Sequence, residues 1–241
     1  MESEASSSND HSKEDRSRAK RRKILEKKKA IDELIKSASV VKDHLASFLP
    51  FRHFNRNGLS LYLESGNGDK LSASLKRKLQ NLLKANMERH YGPDWASEEK
   101  VKQREMVAPE ARYIFVYEAQ AKAQTPSNES MLVGFVHYRF TLEEEMPVLY
   151  VYEIQLESRV QEKGLGKFLM QLLELIALKN CMSAVVLTVQ KANVDAMNFY
   201  SKLRYTISSI SPSRADPLMG NQKSYEILCK AFDDEAKAKD G

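Results

Sequence analysis

The residues best suited to chemistry lie in residues 148–167, VLYVYEIQLESRVQEKGLGK. The first part of this stretch alternates with period two, which predicts a strand. One face would carry Val148, Tyr150, Tyr152, Ile154 and Leu156, and the other Leu149, Val151, Glu153, Gln155 and Glu157. A loop with two glycines at residues 161–166 and a helical run at residues 167–179 follow. Because glycine lets a backbone approach a ligand and a helix start offers unpaired N–H groups, the stretch predicts an anion site.

Two motifs in this frame resemble those of the GNAT superfamily of N-acetyltransferases. The sequence Gln-x-x-Gly-x-Gly at residues 161–166, between a strand and a helix, is similar to that superfamily's acetyl-coenzyme A loop. Asn193, Ala196 and Tyr200, spaced Asn-x-x-Ala-x-x-x-Tyr, resemble its second coenzyme A segment. The resemblance implies the GNAT fold, an α/β (α+β) fold with a mixed central sheet flanked by helices. It also implies acetyl-CoA as co-substrate, without a metal.

Longer segments are similar to one branch of that superfamily, the NatD-type N-alpha-acetyltransferases that modify histones. These segments are RNGLSLYLE, LYVYEIQLESRV, EKGLGKFL, LTVQKAN and SYEIL, and they are spread over most of the chain. An added basic N-terminal helix also fits that branch. The resemblance implies transfer of acetyl to the N-terminal serine amine of histones 4 and 2A, whose tails begin Ser-Gly-Arg-Gly.

The predicted coenzyme contacts combine backbone and side-chain groups. The loop should hold the pyrophosphate through its N–H groups, and the strand backbone should pair with the pantetheine arm as a further strand would. Lys163 and Lys167 could add positive charge or only face solvent, and the Asn193 amide could bind the arm, cap the next helix, or do both. The predicted coenzyme-binding residues are Ile154, Gln155, Leu156, Glu162, Lys163, Gly164, Leu165, Gly166, Lys167 and Asn193.

Two residues are predicted to act in proton transfer. An N-terminal amine has a pKa near 8, about two units below that of lysine, so a nearby base need remove only one proton. Glu153 matches a glutamate with that role in the resembling family; the alternative is an acid on an exposed strand face. Tyr200 matches the superfamily's general-acid tyrosine near the departing sulfur, or it only lines the pocket. No cysteine lies on this strand or loop, which favours a direct, single-displacement transfer.

The resemblance also implies a set of peptide-binding residues. They are Tyr91, Trp95, Thr141, Leu142, Glu143, Tyr152, Thr188 and Tyr225. The alternative for the aromatic residues and for Thr188 is an ordinary place in the core or in a strand. At Thr141 the sequence departs from the family pattern, which has an aspartate there. Glu143 keeps its acid, and Glu144 or Glu145 could supply the missing charge.

Charge is distributed unevenly along the 241 residues. Nine Lys and Arg against one Glu give residues 16–29 a net charge of +8, whereas the whole chain carries +5. The mildly acidic remainder does not indicate an enzyme body that binds nucleic acid. We expect a disordered basic tail at residues 1–23, a helix packing on the core at 24–51, the acetyltransferase domain at 52–231 and a flexible end at 232–241. The run RAKRRK at residues 18–23 predicts nuclear import or only a solvated helix start.

Composition narrows the setting further. No apolar run approaches the roughly 20 residues of a membrane span. Two cysteines without a Cys-x-x-Cys pair support neither a disulfide framework nor a zinc ribbon. We expect a monomer in the nucleus and cytoplasm whose partners are histone N-terminal tails, with no membrane and no sequence-specific nucleic acid binding. Two rivals stay open: a lysine or small-amine acetyltransferase of the same fold, and a non-catalytic chromatin adaptor.

Overall fold

The computed structural model describes the backbone of residues 7–119 and 131–232, with side chains from residue 16 onward. The first residues of the predicted tail, most of the predicted polar loop at 119–130 and the predicted flexible end beyond Phe232 lie outside these ranges. Within them, no helix is both long and apolar enough to cross a membrane.

Helices and strands alternate along the chain much as the hydrophobic patterns predict. The helices are α1 (Ser7–Val40), α2 (Ala73–Tyr91), α3 (Trp95–Met106), α4 (Leu165–Lys179), α5 (Val194–Lys202), α6 (Pro212–Ala215) and α7 (Pro217–Gly220). The strands are β1 (His53–Arg56), β2 (Leu59–Asn67), β3 (Arg112–Glu118), β4 (Leu132–Glu143), β5 (Met146–Leu156), β6 (Ala184–Gln190), β7 (Thr206–Ile207) and β8 (Tyr225–Ala231).

The strands of the described residues form one mixed sheet in the order β1-β2-β3-β4-β5-β6-β8-β7. All neighbours are antiparallel except β5 and β6, which run parallel and are joined by α4. A parallel pair needs such a crossover connection, because the chain must return to the end of the sheet where β5 began before β6 can run in the same direction. The predicted α/β class with a mixed sheet flanked by helices is confirmed.

Each face of the sheet carries its own hydrophobic core. Along β3 the side chains alternate: Ile114 and Val116 join the cluster that contains α4, whereas Tyr113 and Phe115 join the cluster that contains α2 and α3. The period of two in a strand produces this separation. The two cores give the sheet a rigid frame in which β5 and β6 can carry a site.

The N-terminal helix begins earlier than predicted. We expected it at Ile24, but α1 runs from Ser7, so residues 16–23 belong to the helix. Among the side chains of α1 that the structure describes, residues 16–30 are exposed and the first buried residue is Ile31. Helix-forming residues such as Lys, Arg and Glu extend α1 without a packing partner. The predicted packing on the core is therefore limited to its last turns, where Ala38 is buried.

Candidate active site

The cleft opens where β5 and β6 separate. The two strands pair only from Val148 to Val151 and from Ala184 to Leu187, although β5 continues to Leu156 and β6 to Gln190. Past that point the edge of β5 that faces β6 has no strand partner. Unpaired N–H and C=O groups on a strand edge can pair with another extended chain. The geometry therefore suits the predicted backbone pairing of the pantetheine arm with residues 154–156.

A β-bulge in β5 lies beside this opening. His137 of β4 pairs with Glu153, and Tyr138 pairs with Val151, so Tyr152 is an extra residue in β5. A bulge bends a strand and shifts the alternation of its side chains by one position. It therefore redirects the side chains that follow it.

The prediction for the faces of β5 was wrong beyond the bulge. Ile154 and Leu156 pack against the same core as Val151, rather than facing away from it. Glu153 turns instead toward α3, where Lys102 donates a hydrogen bond to it. Tyr152 faces the same helix, because Arg139 packs on the Tyr152 ring and donates to the Glu105 carbonyl of α3. The reason is the extra residue, which no period-two reading includes. The bulge thus brings Glu153 to the face that carries the tyrosines.

The glycine loop has the form of an anion site. α4 begins at Leu165 after Gly164, which has φ +83° and offers no side-chain cap. The first N–H groups of α4 are left without helical partners. A Cβ at Gly166 would stand 3.2 Å from the Phe199 ring, so this position favours glycine because α5 packs closely there. Asn57 Nδ2 donates to the Lys163 carbonyl over 2.9 Å and ties the loop to the turn between β1 and β2.

The side chains predicted around the coenzyme differ in what they do. The Asn193 side chain accepts from the Ala196 N–H over 3.2 Å, so it caps α5 and also lines the cleft. Lys167 is exposed on the lining, whereas Lys163 is half-buried and contributes no lining atom. The Leu165 side chain is buried in the core. Only its backbone can meet a ligand.

One continuous cleft of about 1160 Å³ brings most of the predicted residues together. Its lining includes residues from α2, α3, β5, β6, α5 and the glycine loop. The predicted residues on the lining are Tyr91, Glu143, Tyr152, Glu153, Ile154, Gln155, Leu156, Glu162, Gly164, Gly166, Lys167, Thr188, Asn193 and Tyr200. A cleft this large can take a coenzyme together with the end of a peptide.

Four of the predicted peptide-binding residues lie elsewhere. Trp95 starts α3 and is 5% exposed in the core of α2 and α3, where it packs on Tyr91 with ring centroids 5.8 Å apart. Thr141 and Leu142 lie near the end of β4, outside the lining. Tyr225 begins β8 opposite Gln190 and does not reach the lining either. Trp95 lies in the core because its large apolar surface is buried there. Thr141, Leu142 and Tyr225 lie outside the lining because of their positions near the ends of β4 and β8.

Glu153 is buried, and each of its two carboxylate oxygens accepts a hydrogen bond. Its side chain is 6% exposed. One carboxylate oxygen, Oε1, accepts from the Lys102 ammonium group, and the other, Oε2, accepts from Gln155 Nε2 over 2.8 Å. Asn86 Nδ2 donates in turn to Gln155 Oε1 over 2.9 Å. This chain of groups ties β5 to α2 and α3 and leaves Glu153 oriented toward the cleft.

The same chain continues on the other side of Lys102. The Tyr91 hydroxyl lies within hydrogen-bonding reach of Lys102 and Gln190. Burial raises the pKa of Tyr91, so its hydroxyl stays protonated. Gln190 is 6% exposed and lines the cleft, and among the described residues its Oε1 has no hydrogen-bond partner.

A stack of side chains supports Tyr152 from behind. His137 lies between Tyr113 and Tyr152, with ring centroids 5.0 and 4.8 Å away, and Arg139 lies 4.4 Å from the Tyr152 ring. Burial lowers the pKa of His137 to about 3, so the imidazole is neutral. The hydroxyl groups of Tyr150 and Thr188 form a hydrogen bond of 2.5 Å between β5 and β6, close to the point where the two strands separate. These contacts fix the tyrosine face of the cleft.

Tyr200 lies deep in the cleft wall. It is 6% exposed and packs against Phe199 and Tyr205, with ring centroids 5.0 and 5.8 Å away. Burial, with the nearby Glu153 carboxylate, raises the pKa of Tyr200 well above its ordinary value. The hydroxyl therefore stays protonated and is a weak proton donor, because the thiol formed from a departing thiolate has a pKa of about 8.5, below that of tyrosine. Both readings of Tyr200, general acid and lining residue, remain predictions.

Carboxylates gather on the α3 side of the cleft. Glu98, Glu105 and Glu143 belong to the lining. Burial raises the pKa of Glu105 and of Glu143, and for Glu143 the neighbouring Glu144 adds to the effect. Glu144 and Glu145 themselves form the exposed turn between β4 and β5. A cationic ligand there would relieve the burial cost of these acids.

Sequence reasoning missed Glu98, Lys102 and Glu105. A signal for them exists in the spacing of α3, because Trp95 and Met106 are buried and the three charged residues follow Trp95 at helical intervals of three or four. Charged residues in phase with buried ones point inward. Asn86 and Gln190 carry no comparable signal, since a single polar residue on a helix or strand is common.

The described residues include no group of three or more His, Cys, Asp or Glu side chains that could hold a metal ion.

Comparison with solved structures finds acetyltransferases that are covered almost completely. PaiA N-acetyltransferase from Thermoplasma acidophilum, solved with coenzyme A, is 17% identical, with a TM-score of 0.48 over 70% of this chain and 99% of that chain. Arabidopsis thaliana Naa50, solved with the bisubstrate analogue CoA-Ac-MVNAL, is 16% identical, with a TM-score of 0.44 over 70% and 99%. Arabidopsis thaliana NAA60, solved with a bisubstrate analogue, is 12% identical, with a TM-score of 0.47 over 71% and 99%.

The family assignment comes from the sequence pattern that defines the acetyltransferase (GNAT) family. This pattern matches residues 77–205, more than half of the chain, from α2 to the end of α5. The matched part contains the glycine loop, the separated strands and Glu153. The chain belongs to the acetyltransferase (GNAT) family, whose co-substrate is acetyl-CoA.

Proposed function

We propose that this protein is an N-alpha-acetyltransferase of the NatD type, which acetylates the N-terminal serine of peptides that begin Ser-Gly-Arg-Gly, as histones 4 and 2A do. The observation that carries the proposal is the position of Glu153. Its buried carboxylate lines the same cleft as the glycine loop and the further carboxylates Glu98, Glu105 and Glu143. A base for an amine and acids for an arginine thus line the same cleft.

The reaction follows from the groups on the cleft. Bound acetyl-CoA supplies a thioester, which is an acetyl donor with a good leaving group. Glu153 takes one proton from the substrate ammonium group, and the neutral amine then attacks the thioester carbon. As the C–S bond breaks, the second amine proton reaches the departing sulfur, with Tyr200 as the candidate relay. The products are the N-acetyl peptide, coenzyme A and one proton held by Glu153.

The acids of the cleft support an arginine at the third position. A guanidinium group binds carboxylates in a planar, two-pronged geometry, and these charge-assisted bonds are stronger than neutral ones. Glu98, Glu105 and Glu143 line the α3 side of the cleft, away from the glycine loop. An N-terminal amine near Glu153 would leave the following residues of the peptide close to these acids.

One experiment tests the substrate. Purified protein is incubated with acetyl-CoA and either the free peptide Ser-Gly-Arg-Gly-Lys or the same peptide with a blocked N-terminus, and fragmentation mass spectrometry locates the acetyl group. We expect acetylation of the free serine amine and none of the blocked peptide. Acetylation of the lysine in the blocked peptide would assign the protein to side-chain lysine acetylation. Coenzyme binding without any product would instead indicate a chromatin adaptor.

We also propose that the basic part of α1 directs the protein to the nucleus, in addition to a cytoplasmic pool. Residues 16–30 are exposed and carry the whole run RAKRRK. A fluorescent fusion lacking residues 1–23 is expected to leave the nucleus while its melting temperature stays unchanged. A deleted variant that remains nuclear would contradict the import signal.

A further inference from the structure

The buried lysine on α3 has no place in the chemistry described so far. The Lys102 side chain is 12% exposed, and its ammonium group donates to Glu153 Oε1. It also lies 5.4 Å from the Tyr91 ring centroid. Burying an ammonium group is costly unless a partner compensates for it. Burial acts to lower the pKa of Lys102, but Glu153 and Tyr91 outweigh that effect and hold it above its ordinary value.

The Glu153 carboxylate depends on a cation beside it. It is 6% exposed and has lost most of its hydration, and a buried charge is costly unless a partner compensates for it. A protonated carboxyl group cannot accept a proton from the substrate amine. The hydrogen bond from Gln155 helps to hold the charged form, but an amide carries no net charge to offset it.

The other groups around Glu153 do not replace Lys102. Arg139 donates to the Glu105 carbonyl, and His137, the register partner of Glu153, is neutral because burial lowers its pKa to about 3. The remaining titratable groups facing Glu153 are uncharged or acidic. They are Tyr91 from α2, Glu105 from α3, Tyr113 from β3 and Tyr200 from α5. Among the described residues, Lys102 is therefore the cation that contacts Glu153.

We propose that Lys102 is a positioning residue for the base: its ammonium group keeps Glu153 ionised and aimed into the cleft, so that Glu153 can accept the proton of the substrate amine at neutral pH. The inference rests on the proposed function, because it gives Glu153 the role of base. During the step, one proton moves from the substrate ammonium group to Glu153, and Lys102 keeps its own protons. The cost is a weaker base, which still suffices for an N-terminal amine because its pKa lies about two units below that of lysine.

The test compares the pH dependence of kcat/KM between pH 5.5 and 9.5 in wild type, Lys102→Met and Lys102→Arg. Without the cation, Glu153 binds its proton more readily, so the acid limb of Lys102→Met should move to higher pH by about one unit or more. Relative to wild type, its activity should be lowest at the acid end of this range and should recover as the pH rises. Lys102→Arg, which keeps the charge, should retain the wild-type limb. Lys100→Met removes an exposed lysine from the same helix and should change nothing.

A uniform loss of activity at every pH in Lys102→Met would overturn the proposal, because it would mean that Lys102 serves only the structure. If Lys102→Met does not fold, Lys102→Gln is measured instead, since it keeps a hydrogen-bond donor without the charge. An unchanged acid limb in that variant would overturn the proposal as well.

A second readout needs no substrate. Carbon-13 NMR of glutamate carboxyl groups follows the titration of Glu153 in the free protein, with its signal identified by its loss in Glu153→Gln. We expect the titration midpoint to rise in Lys102→Met and to stay in place in Lys100→Met. Equal midpoints would refute the role of Lys102. A protein that shows the shift but acetylates no peptide would keep this role and lose the proposed function instead.

Discussion

The two sides of the cleft are built in different ways. On the side proposed to bind the coenzyme, the backbone supplies the candidate binding groups: a left-handed glycine, a helix start without a side-chain cap and an unpaired strand edge. On the side proposed to bind the peptide, the candidate groups are side chains from α2, α3, β5 and β6 that reach one another only in the folded protein. A ligand shared by a whole family can be met by backbone geometry. Selecting among amines requires side chains, and these come from distant segments.

The largest expected effect separates turnover from coenzyme binding. Glu153→Gln removes the base but keeps the shape of the side chain, and kcat/KM for Ser-Gly-Arg-Gly peptides should fall about 10²- to 10⁴-fold. The dissociation constant for coenzyme A, measured by calorimetry, should stay the same because the glycine loop is intact. Glu157→Gln, beyond the end of β5, is the matched control and should keep full activity. Tighter or weaker coenzyme binding in Glu153→Gln would mean that the two sides are not independent.

Two glycine variants compare the sides directly. Gly164 and Gly92 both have positive φ, at +83° and +55°, and both have room for a methyl group. An alanine at Gly164, which is left-handed with ψ −2°, adds about 1–2 kcal/mol of backbone strain, whereas Gly92, with ψ −127°, lies outside the left-handed helical region and an alanine there costs more. Gly164→Ala should raise the KM for acetyl-CoA about 5- to 20-fold with every peptide. Gly92→Ala, next to Tyr91, should raise the KM for the peptide instead. Identical kinetic changes in both variants would contradict the separation of the cleft into a coenzyme side and a peptide side.

A buried histidine on each face of the sheet should make the free energy of unfolding decrease in acid. His137 lies behind the peptide side and His44 lies on the opposite face beside Phe140, and burial lowers their pKa values to about 3 and about 4. Unfolded histidine has a pKa near 6.5, so the unfolded state binds more protons below that pH. The part of the free energy of unfolding that depends on these histidines therefore has its full value above pH 6.5 and decreases as the pH falls below 6.5.

Each of these two histidines should contribute a slope of about 1.4 kcal/mol per pH unit below pH 6.5. Urea unfolding of wild type, His137→Phe and His44→Phe at pH 7.0 and 5.5 measures it. Each variant should lose less free energy over that interval than wild type does. A variant with the wild-type slope would show that its histidine is not buried in the neutral form.

The smallest expected effect concerns the arginine of the peptide. Glu143→Gln should raise the KM for Ser-Gly-Arg-Gly about fivefold, because one charge-assisted contact is lost at a partly exposed site. The KM for Ser-Gly-Ala-Gly should not change. Glu145→Gln, on the exposed turn, is the control. An equal effect of Glu143→Gln on both peptides would place Glu143 away from the arginine and leave Glu98 and Glu105 as its candidate partners.

Local patterns predicted the scaffold well. The limits of β3 at Arg112–Glu118 agree with the alternation of its residues, and the start of α2 follows the Ser72 cap. The short strand β1 was missed, because its four residues, with Phe54 as the one apolar side chain, show no clear period. The predicted start of α1 was too late, because the sequence of a charged stretch that stays helical without a packing partner resembles that of a solvated, disordered tail. These errors concern single elements rather than their order.

The sequence by itself determined the strand, the glycine loop and the helix that we propose hold the coenzyme, because all three are contiguous and depend on backbone conformation. It also pointed to Glu153. Only the tertiary structure decided where Glu153 faces and what surrounds it. The bulge at Tyr152 arises from pairing with β4, and Lys102, Gln155 and Asn86 meet Glu153 from three different elements. Periodicity describes one segment at a time, whereas a side-chain network depends on distances between segments that only the packed sheet and helices establish.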